Sequence, residues 1–222
     1  MISPESLQFL EDLKKNNNRD WFQANKVRYE AYKKDYHQLI SEFLEAMKPL
    51  DPALKMLEVK NCTFRINRDI RFSKDKSPYK SHMGIWMNTN PSGVNAPGYY
   101  IHFEKGKSFL AGGFYSPEAS ELKKIRKEID FFHDDLEAIV SDKNFKSVFG
   151  DLDRTNALKT SPKNFEKDHP AIEFLKLKSF TASAKIDDKS LNDKNFVNDT
   201  AKKLHLLRPL TEFLNRALAS GD

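Results

Sequence analysis

The spacing of hydrophobic residues changes twice along the chain, and this change limits the folds that the chain can adopt. Before about residue 48, apolar residues recur every three or four positions, which is the spacing of an amphipathic helix. Between Phe64 and Tyr115, apolar and polar residues alternate over short stretches, as in strands. From Ser116 onward the helical spacing returns. This order predicts an α+β fold with N-terminal helices, a central, mostly antiparallel sheet and C-terminal helices.

The N-terminal third predicts two helices. Ser3 followed by Pro4 is typical of an N-cap and first turn, and an apolar stripe follows it. A second pattern begins at Trp21 and predicts one long amphipathic helix that runs to about Lys48, before Pro49.

The central region predicts several strands. Residues 64–72 alternate and have the pattern of a first strand, and residues 83–87 form a second candidate. Residues 99–104 and 108–115 flank a short glycine-containing turn, which predicts a β-hairpin. Because these segments follow one another without long helical crossovers, an antiparallel sheet is favoured. Gly112 and Gly113 indicate a bulge or a close approach of backbones.

The C-terminal region returns to helices after one further strand. Residues 177–186 alternate in part and predict a strand that returns to the sheet. The last helical pattern, residues 196–218, is kinked or split near Pro209.

Length and composition exclude several classes of protein. We expect the 222 residues to form a single domain over residues 1–222. No apolar run approaches the roughly 20 residues that a membrane-spanning helix needs, and 17 phenylalanines argue against disorder. The single cysteine, Cys62, and the lack of a secretory signal at the N-terminus favour a cytoplasmic location.

The positive charge of the chain is concentrated in one short region. The formal net charge is +5. Residues 61–80 alone carry six basic and two acidic side chains, whereas residues 1–60 and 118–222 each balance to zero. The excess charge therefore marks a local feature of the chain and not its whole surface.

The residues of this basic run suit anion binding. If residues 64–72 are extended, Arg65, Asp69 and Arg71 share one face with Asn67, and if the chain turns helical, Arg65 shares a face with Arg68 and Asp69 instead. Arginine offers five fixed donors for phosphate or carboxylate groups. The sequence leaves both geometries open.

We assign candidate roles to eight residues of the run and to His82, which follows it. The candidate ligand-binding residues are Arg65, Arg68, Arg71, Asp75, Lys76, Tyr79 and Lys80. The candidate catalytic residues are Asp69, as a base or an orienter of a guanidinium, and His82, as an acid or base. His102 shares a strand face with Tyr100 and is a weaker addition to the site. No metal-ligand spacing is present, so no metal site is predicted, and the residue types do not identify a cofactor.

These residues also carry a resemblance to a known family. The run reads Arg65, Arg68-Asp69, Arg71-Phe72, Asp75-Lys76 and Tyr79-Lys80, and it resembles the signature of the family called domain of unknown function 2461. The lengths are similar, so the resemblance extends over the whole chain. It supports the location of the site and implies no particular activity.

Three functions are compatible with the run. The first is binding of a small anionic ligand, either a phosphate ester or a nucleotide-like molecule, with enzyme action on it left open. The second is a nucleic-acid-binding module in which Phe72 or Tyr79 stacks on a base. The third is a structural or interaction protein whose Arg–Asp run is an internal salt-bridge network.

Overall fold

The structure is a computed structural model that describes residues 2–90 and 95–220. These residues form helices at both ends of the chain and a four-stranded antiparallel sheet, which confirms the α+β prediction. The helices are α1 Pro4–Lys15, α2 Arg19–Ala24, α3 Lys26–Met47, α4 Val59–Cys62, α5 Ala119–Ser141, α6 Lys143–Phe149, α7 Ile172–Leu175, α8 Phe196–His205 and α9 Arg208–Ala219. The strands are β1 Met83–Asn88, β2 Gly98–Phe103, β3 Phe109–Phe114 and β4 Phe180–Lys185. Short 3₁₀ turns occur at Pro52–Leu54 and Asp188–Asn192.

The N-terminal region has the predicted N-cap at Ser3, but up to Met47 it forms three helices instead of the predicted two. The hydroxyl of Ser3 accepts a hydrogen bond from the backbone N–H of Ser6 at 3.1 Å, and Pro4 begins α1. The prediction of one helix from Trp21 to Lys48 is wrong, because α2 ends at Ala24 and α3 begins at Lys26. Asn25 lies between them with non-helical backbone angles, and its amide donates to the carbonyl of Trp21 at 2.9 Å.

The sheet has the strand order β1-β2-β3-β4, so each strand pairs with the next one in sequence. Strands β1, β2, β3 and β4 confirm the predicted strand at 83–87, the hairpin and the returning strand. The strand predicted over residues 64–72 is wrong. Within that segment the structure has one isolated bridge, between Asn67 and Tyr79, and Thr63 just before it bridges to Ile85.

The chain divides into two compact units. The first comprises Met1–Met87, Tyr100–Leu110 and Lys185–Ala201, and the second comprises Asn88–Tyr99, Ala111–Ala184 and Lys202–Asp222. Boundaries fall inside strands β2 and β3, whereas domain boundaries usually fall in exposed linkers. The single domain over residues 1–222 stays a prediction.

In the first unit, helix α3 is the central element. It packs against α1, α2 and α4, and its inner face is fully buried at Leu39, Ile40, Phe43 and Met47. Phe43 meets Phe196 edge to face with ring centroids 6.1 Å apart. The same buried stripe continues toward the start of α3 as Tyr36 and Tyr32.

In the second unit, helix α5 packs against α6, α7 and α9. Arg216 of α9 reaches two carboxylates of α5, with Nε on the buried Glu128 and Nη2 on Asp135 at 2.8 Å. Gly112 and Gly113 confirm the predicted close approach of backbones, because a Cβ at Gly113 would lie 2.0 Å from the carbonyl oxygen of Phe180.

Candidate functional site

A cavity of about 220 Å³ lies within the first unit. Its walls come from one face of α3, from residues 63–66, from residues 80–84 and from Tyr100 of β2. The basic run therefore contributes both its beginning and its end to one concave surface.

The α3 wall consists of residues at helical spacing. Tyr29, Tyr32, Lys33, Tyr36 and His37 line the cavity, and their spacing of three and four places them on one face of the helix. This wall is rich in phenol rings and carries one lysine.

Tyr36 ties three segments of the cavity together. Its buried hydroxyl donates to the carbonyl oxygen of Gly84 and accepts from the backbone N–H of Phe64 at 3.0 Å. Burial raises the pKa of Tyr36 to about 12, so the hydroxyl keeps its proton near neutral pH. Tyr36 is thus a neutral strut that fixes the position of Phe64 next to Arg65.

Residues 66–68 and 78–80 form a short antiparallel clamp. The N–H of Arg68 donates to the carbonyl of Pro78 at 2.9 Å, and the N–H of Lys80 donates to the carbonyl of Ile66 at 2.7 Å. The clamp ends there because Pro78 has no N–H to continue the ladder. It brings Arg65 and Lys80, which are fifteen positions apart in sequence, to the same cavity.

Lys80 is held by backbone oxygens. Its ammonium group donates to the carbonyls of Arg65 at 2.6 Å and Asn67 at 3.3 Å, which leaves one of its three N–H groups for another acceptor. Partial burial, and then the positive charge of Arg65, lower the pKa of Lys80.

Arg65 differs from the other arginines of the run. Among the residues that the structure describes, no carboxylate pairs with its exposed guanidinium, and no hydrogen bond holds it. Its charge is therefore available to a ligand in the cavity.

Arg68 and Arg71 are instead paired close by in sequence. Arg68 binds Asp75, whose carboxylate also accepts from the N–H and hydroxyl of Ser77 at 2.9 and 2.6 Å. The bonds from Ser77, and then that from Arg68, lower the pKa of Asp75 to about 2. Arg71 forms a two-point contact with Asp69, through Nε at 3.0 Å and Nη2 at 2.7 Å, which lowers the pKa of Asp69. None of these four residues lines the cavity.

The last two predicted ligand-binding residues also lie outside the cavity wall. Lys76 donates to the carbonyl of Ile70 at 3.0 Å. Tyr79 is buried and stacks on Phe22 with ring centroids 4.0 Å apart, and the amide of Asn17 bonds both its N–H and its carbonyl. The packing of Tyr79 anchors the clamp against α2.

His82 lines the cavity, and its ring lies 4.6 Å from that of His102. Partial burial, and then the neighbouring His102, lower the pKa of His82. Partial burial also lowers the pKa of His102, against the opposing effect of Glu104. Both imidazoles are therefore neutral near neutral pH, and each offers one donor and one acceptor.

Two further features bear on the chemistry of the site. Cys62 is buried at the end of α4, and burial raises its pKa to about 11, which keeps the thiol protonated and unreactive. Within residues 2–90 and 95–220, no three imidazole, thiol or carboxylate groups come together as a metal site.

The sequence located part of this site and missed the rest. Arg65, Lys80 and His82 were candidates and do meet at the cavity. The α3 residues of the wall have no role in the predicted site, because their spacing indicates only an amphipathic helix. A signal was nevertheless present, because tyrosine rather than phenylalanine recurs there and each phenol needs a polar neighbour.

Comparisons with known proteins place the chain in a family. A family model described as "Conserved hypothetical protein (DUF2461)" matches residues 5–213. No curated protein and no solved structure matches the chain. No helix among the described residues has the length and apolar character needed to cross a membrane. Since the match extends over most of the 222 residues, the chain belongs to this conserved family of unknown function.

Proposed function

We propose that the cavity of the first unit binds a small anionic ligand, a phosphate ester or a nucleotide-like molecule. Three cationic side chains, Lys33, Arg65 and Lys80, line it together with His37 and His82, and no carboxylate is among its described lining residues. A concave surface with cations and no acids concentrates positive potential where an anion would sit.

The unpaired guanidinium of Arg65 carries this proposal. Folded proteins usually neutralise clustered arginines with nearby carboxylates, as Arg68 and Arg71 are neutralised by Asp75 and Asp69. Arg65 lies in the same run, and among the described residues no carboxylate forms an ion pair with its guanidinium. Its charge acts on Asp69 only as the last of the causes that change the pKa of that carboxyl. Its five N–H donors match the oxygens of a phosphate or carboxylate.

The size and the aromatic wall narrow the ligand class. At about 220 Å³, the cavity is below the roughly 300–1,000 Å³ of drug-sized ligand sites, so a compact ligand fits best. Tyr29, Tyr32, Phe64 and Tyr100 offer ring surface for an apolar or sugar portion. A sugar phosphate or a mononucleotide has both an anionic phosphate and a sugar or base portion.

The experiment is a thermal-shift panel with inorganic phosphate, ribose phosphate and adenosine monophosphate. We expect at least one of the organic phosphates to raise the Tm of the natural protein, since a ligand at a hundred times its Kd adds about 2.7 kcal/mol. We expect the shift to disappear in Arg65→Ala and to persist in Arg154→Ala, which removes an arginine paired with Asp151 in the second unit. A shift that is equal in all three proteins, or no shift with any probe, would contradict the proposal.

One observation favours a second function, binding of single-stranded nucleic acid by residues 69–77. The side chain of Phe72 is 96% exposed, and the guanidinium of Arg71 lies 5.8 Å from its ring centroid. An exposed ring beside cations is the arrangement on which bases stack. A short oligonucleotide in the same panel separates the two functions, because its effect would depend on Phe72 and fall with added salt.

A further inference from the structure

Strand β2 and the residue that follows it place three polar groups in a row beside the cavity. Tyr100 and His102 lie on one face of β2, and Glu104 comes directly after the strand ends at Phe103. The hydroxyl of Tyr100 lies 3.0 Å from Nδ1 of His102, and Nε2 of His102 lies 3.4 Å from Oε2 of Glu104. The other oxygen of Glu104 accepts from Nζ of Lys14 at 2.9 Å. The row runs from Tyr100 in the cavity wall to the ion pair between Glu104 and Lys14.

The partners assign the protons along this row. Partial burial raises the pKa of Glu104, but hydrogen bonds from Lys14 and His102 outweigh it and keep the carboxylate ionised. An ionised Glu104 is an acceptor only, so it takes the N–H of Nε2 and leaves the lone pair on Nδ1. Nδ1 then accepts the hydroxyl proton of Tyr100. Tyr100 lines the cavity, and among the described residues only His102 bonds its oxygen.

The surroundings hold this row in place. The ring of His102 stacks on Phe109 at 4.9 Å, and His82 lies against it at 4.6 Å. Gly84 leaves the space that the hydroxyl occupies, since a Cβ there would lie 2.9 Å from the oxygen of Tyr100. A hydroxyl, a base and a carboxylate that orients the base are the three parts of an activated nucleophile or proton acceptor.

We propose that Tyr100 is the reactive group of the cavity, a general base that passes its own proton to His102. The proposal rests on the proposed function, because the reacting molecule is the bound anion. In the step, an O–H bond of the ligand breaks and its proton moves to the oxygen of Tyr100. The Tyr100 proton moves to Nδ1 of His102, and Glu104 stabilises the resulting imidazolium. The ligand gains one negative charge, which Arg65 and Lys80 of the same cavity stabilise.

The test uses sulfonyl fluorides, which react with a tyrosine whose proton a neighbouring base removes. The oxygen of Tyr100 forms a bond to sulfur, the S–F bond breaks, fluoride leaves and the phenol proton goes to His102. One probe is neutral, phenylmethanesulfonyl fluoride, and the other is anionic, para-fluorosulfonylbenzoate. Labelling rates and adduct positions are read by mass spectrometry of the full chain and its peptides.

We expect both probes to label Tyr100. The rate with the neutral probe should fall about tenfold or more in His102→Gln, and also in Glu104→Gln, which keeps the imidazole. His169→Gln is the matched control, because His169 bonds Asp130 at 2.9 Å in the second unit and should leave the rate unchanged. A Tm within a few degrees of the natural protein shows that each variant is folded.

The two probes separate failure of this proposal from failure of the proposed function. Adducts on lysines with Tyr100 unmodified would overturn the role of Tyr100. So would neutral-probe rates in folded His102→Gln and Glu104→Gln that equal the rate of the natural protein. Faster labelling by the anionic probe that is lost in Arg65→Ala supports anion binding by the cavity. If the anionic probe has no such advantage while the His102 dependence holds, Tyr100 is activated but the proposed ligand class is wrong.

Discussion

Tyr36 is the residue whose hydroxyl does most to hold the cavity wall in place. It is buried, and it satisfies two backbone groups from segments that share no regular ladder, the carbonyl of Gly84 and the N–H of Phe64. A buried backbone group without a partner costs about 1–3 kcal/mol. One phenol oxygen therefore positions the chain at the start of the basic run.

We predict that Tyr36→Phe lowers the free energy of unfolding by about 1–3 kcal/mol, because both backbone groups lose their partner. Chemical denaturation with urea measures this directly. The matched control is Tyr32→Phe on the same helix. Tyr32 is 5% exposed against 4% for Tyr36, but no described group bonds its hydroxyl. Equal losses in the two variants would show that the hydroxyl of Tyr36 has no special role.

At the scale of the element, the pairing of β3 with β4 depends on a single glycine. Gly113 has φ of +116°, which L side chains rarely adopt, and a Cβ there would meet the carbonyl oxygen of Phe180 at 2.0 Å. That oxygen belongs to the backbone and cannot move without separating the strands. The clash therefore acts on the sheet and not on one side chain.

We predict that Gly113→Ala destabilises the fold by more than about 3 kcal/mol, since the clash adds to the backbone strain. Gly106→Ala is the control, because Gly106 also has a positive φ of +74° but no atom within 4 Å of its Cβ position. It should cost only about 1–2 kcal/mol. Urea denaturation compares the two, and similar losses would mean that the contact with Phe180 is relaxed by a small backbone shift.

The segment 64–72 shows which information a sequence pattern lacks. Its alternation is real, but the carboxylates of Asp69 and Asp75 bond nearby N–H groups, and Pro78 cannot donate to a ladder. These local bonds replace the strand that the alternation predicts. The hairpin prediction succeeded because the turn at Gly106 agrees with the tertiary contacts. The apolar stripe likewise predicted the helix over the range of α3, but not the break at Asn25.

Only some of the residues that line the cavity were predicted from the sequence, again because tertiary contacts are not visible in it. Charge density along the chain locates Arg65 and Lys80, because clustered cations are visible without a structure. Which arginine lacks a carboxylate depends on the clamp between residues 66–68 and 78–80, and that is a tertiary feature. Strand periodicity predicts that Tyr100 and His102 share a face, but it does not predict the bond from His102 to Glu104 or the contact of His102 with His82.

At the scale of the whole molecule, the groups with shifted pKa values make the folded state less stable as the pH falls. The pKa values of His37, His82 and His102 lie below the ordinary 6.5, so the unfolded chain binds more protons as the pH falls through that value. The pKa values of Asp69 and Asp75 lie below the ordinary 3.8, so their stabilising effect is present above that value and is lost as the pH falls toward about 2. The histidines and the aspartates therefore both make the folded state more stable near neutral pH than in acid.

We therefore predict that the Tm falls in two stages on acidification. The first stage, between about pH 7 and 5, reflects the histidines, and the second, below about pH 4, reflects the carboxylates. Differential scanning calorimetry across this range measures both. The double variant His82→Gln, His102→Gln should reduce the first stage to the part that His37 causes and leave the second, whereas Asp75→Asn should reduce only the second. If the first stage persists unchanged in the double variant, other groups cause it. The fold then does not hold the partly buried imidazoles of His82 and His102 neutral.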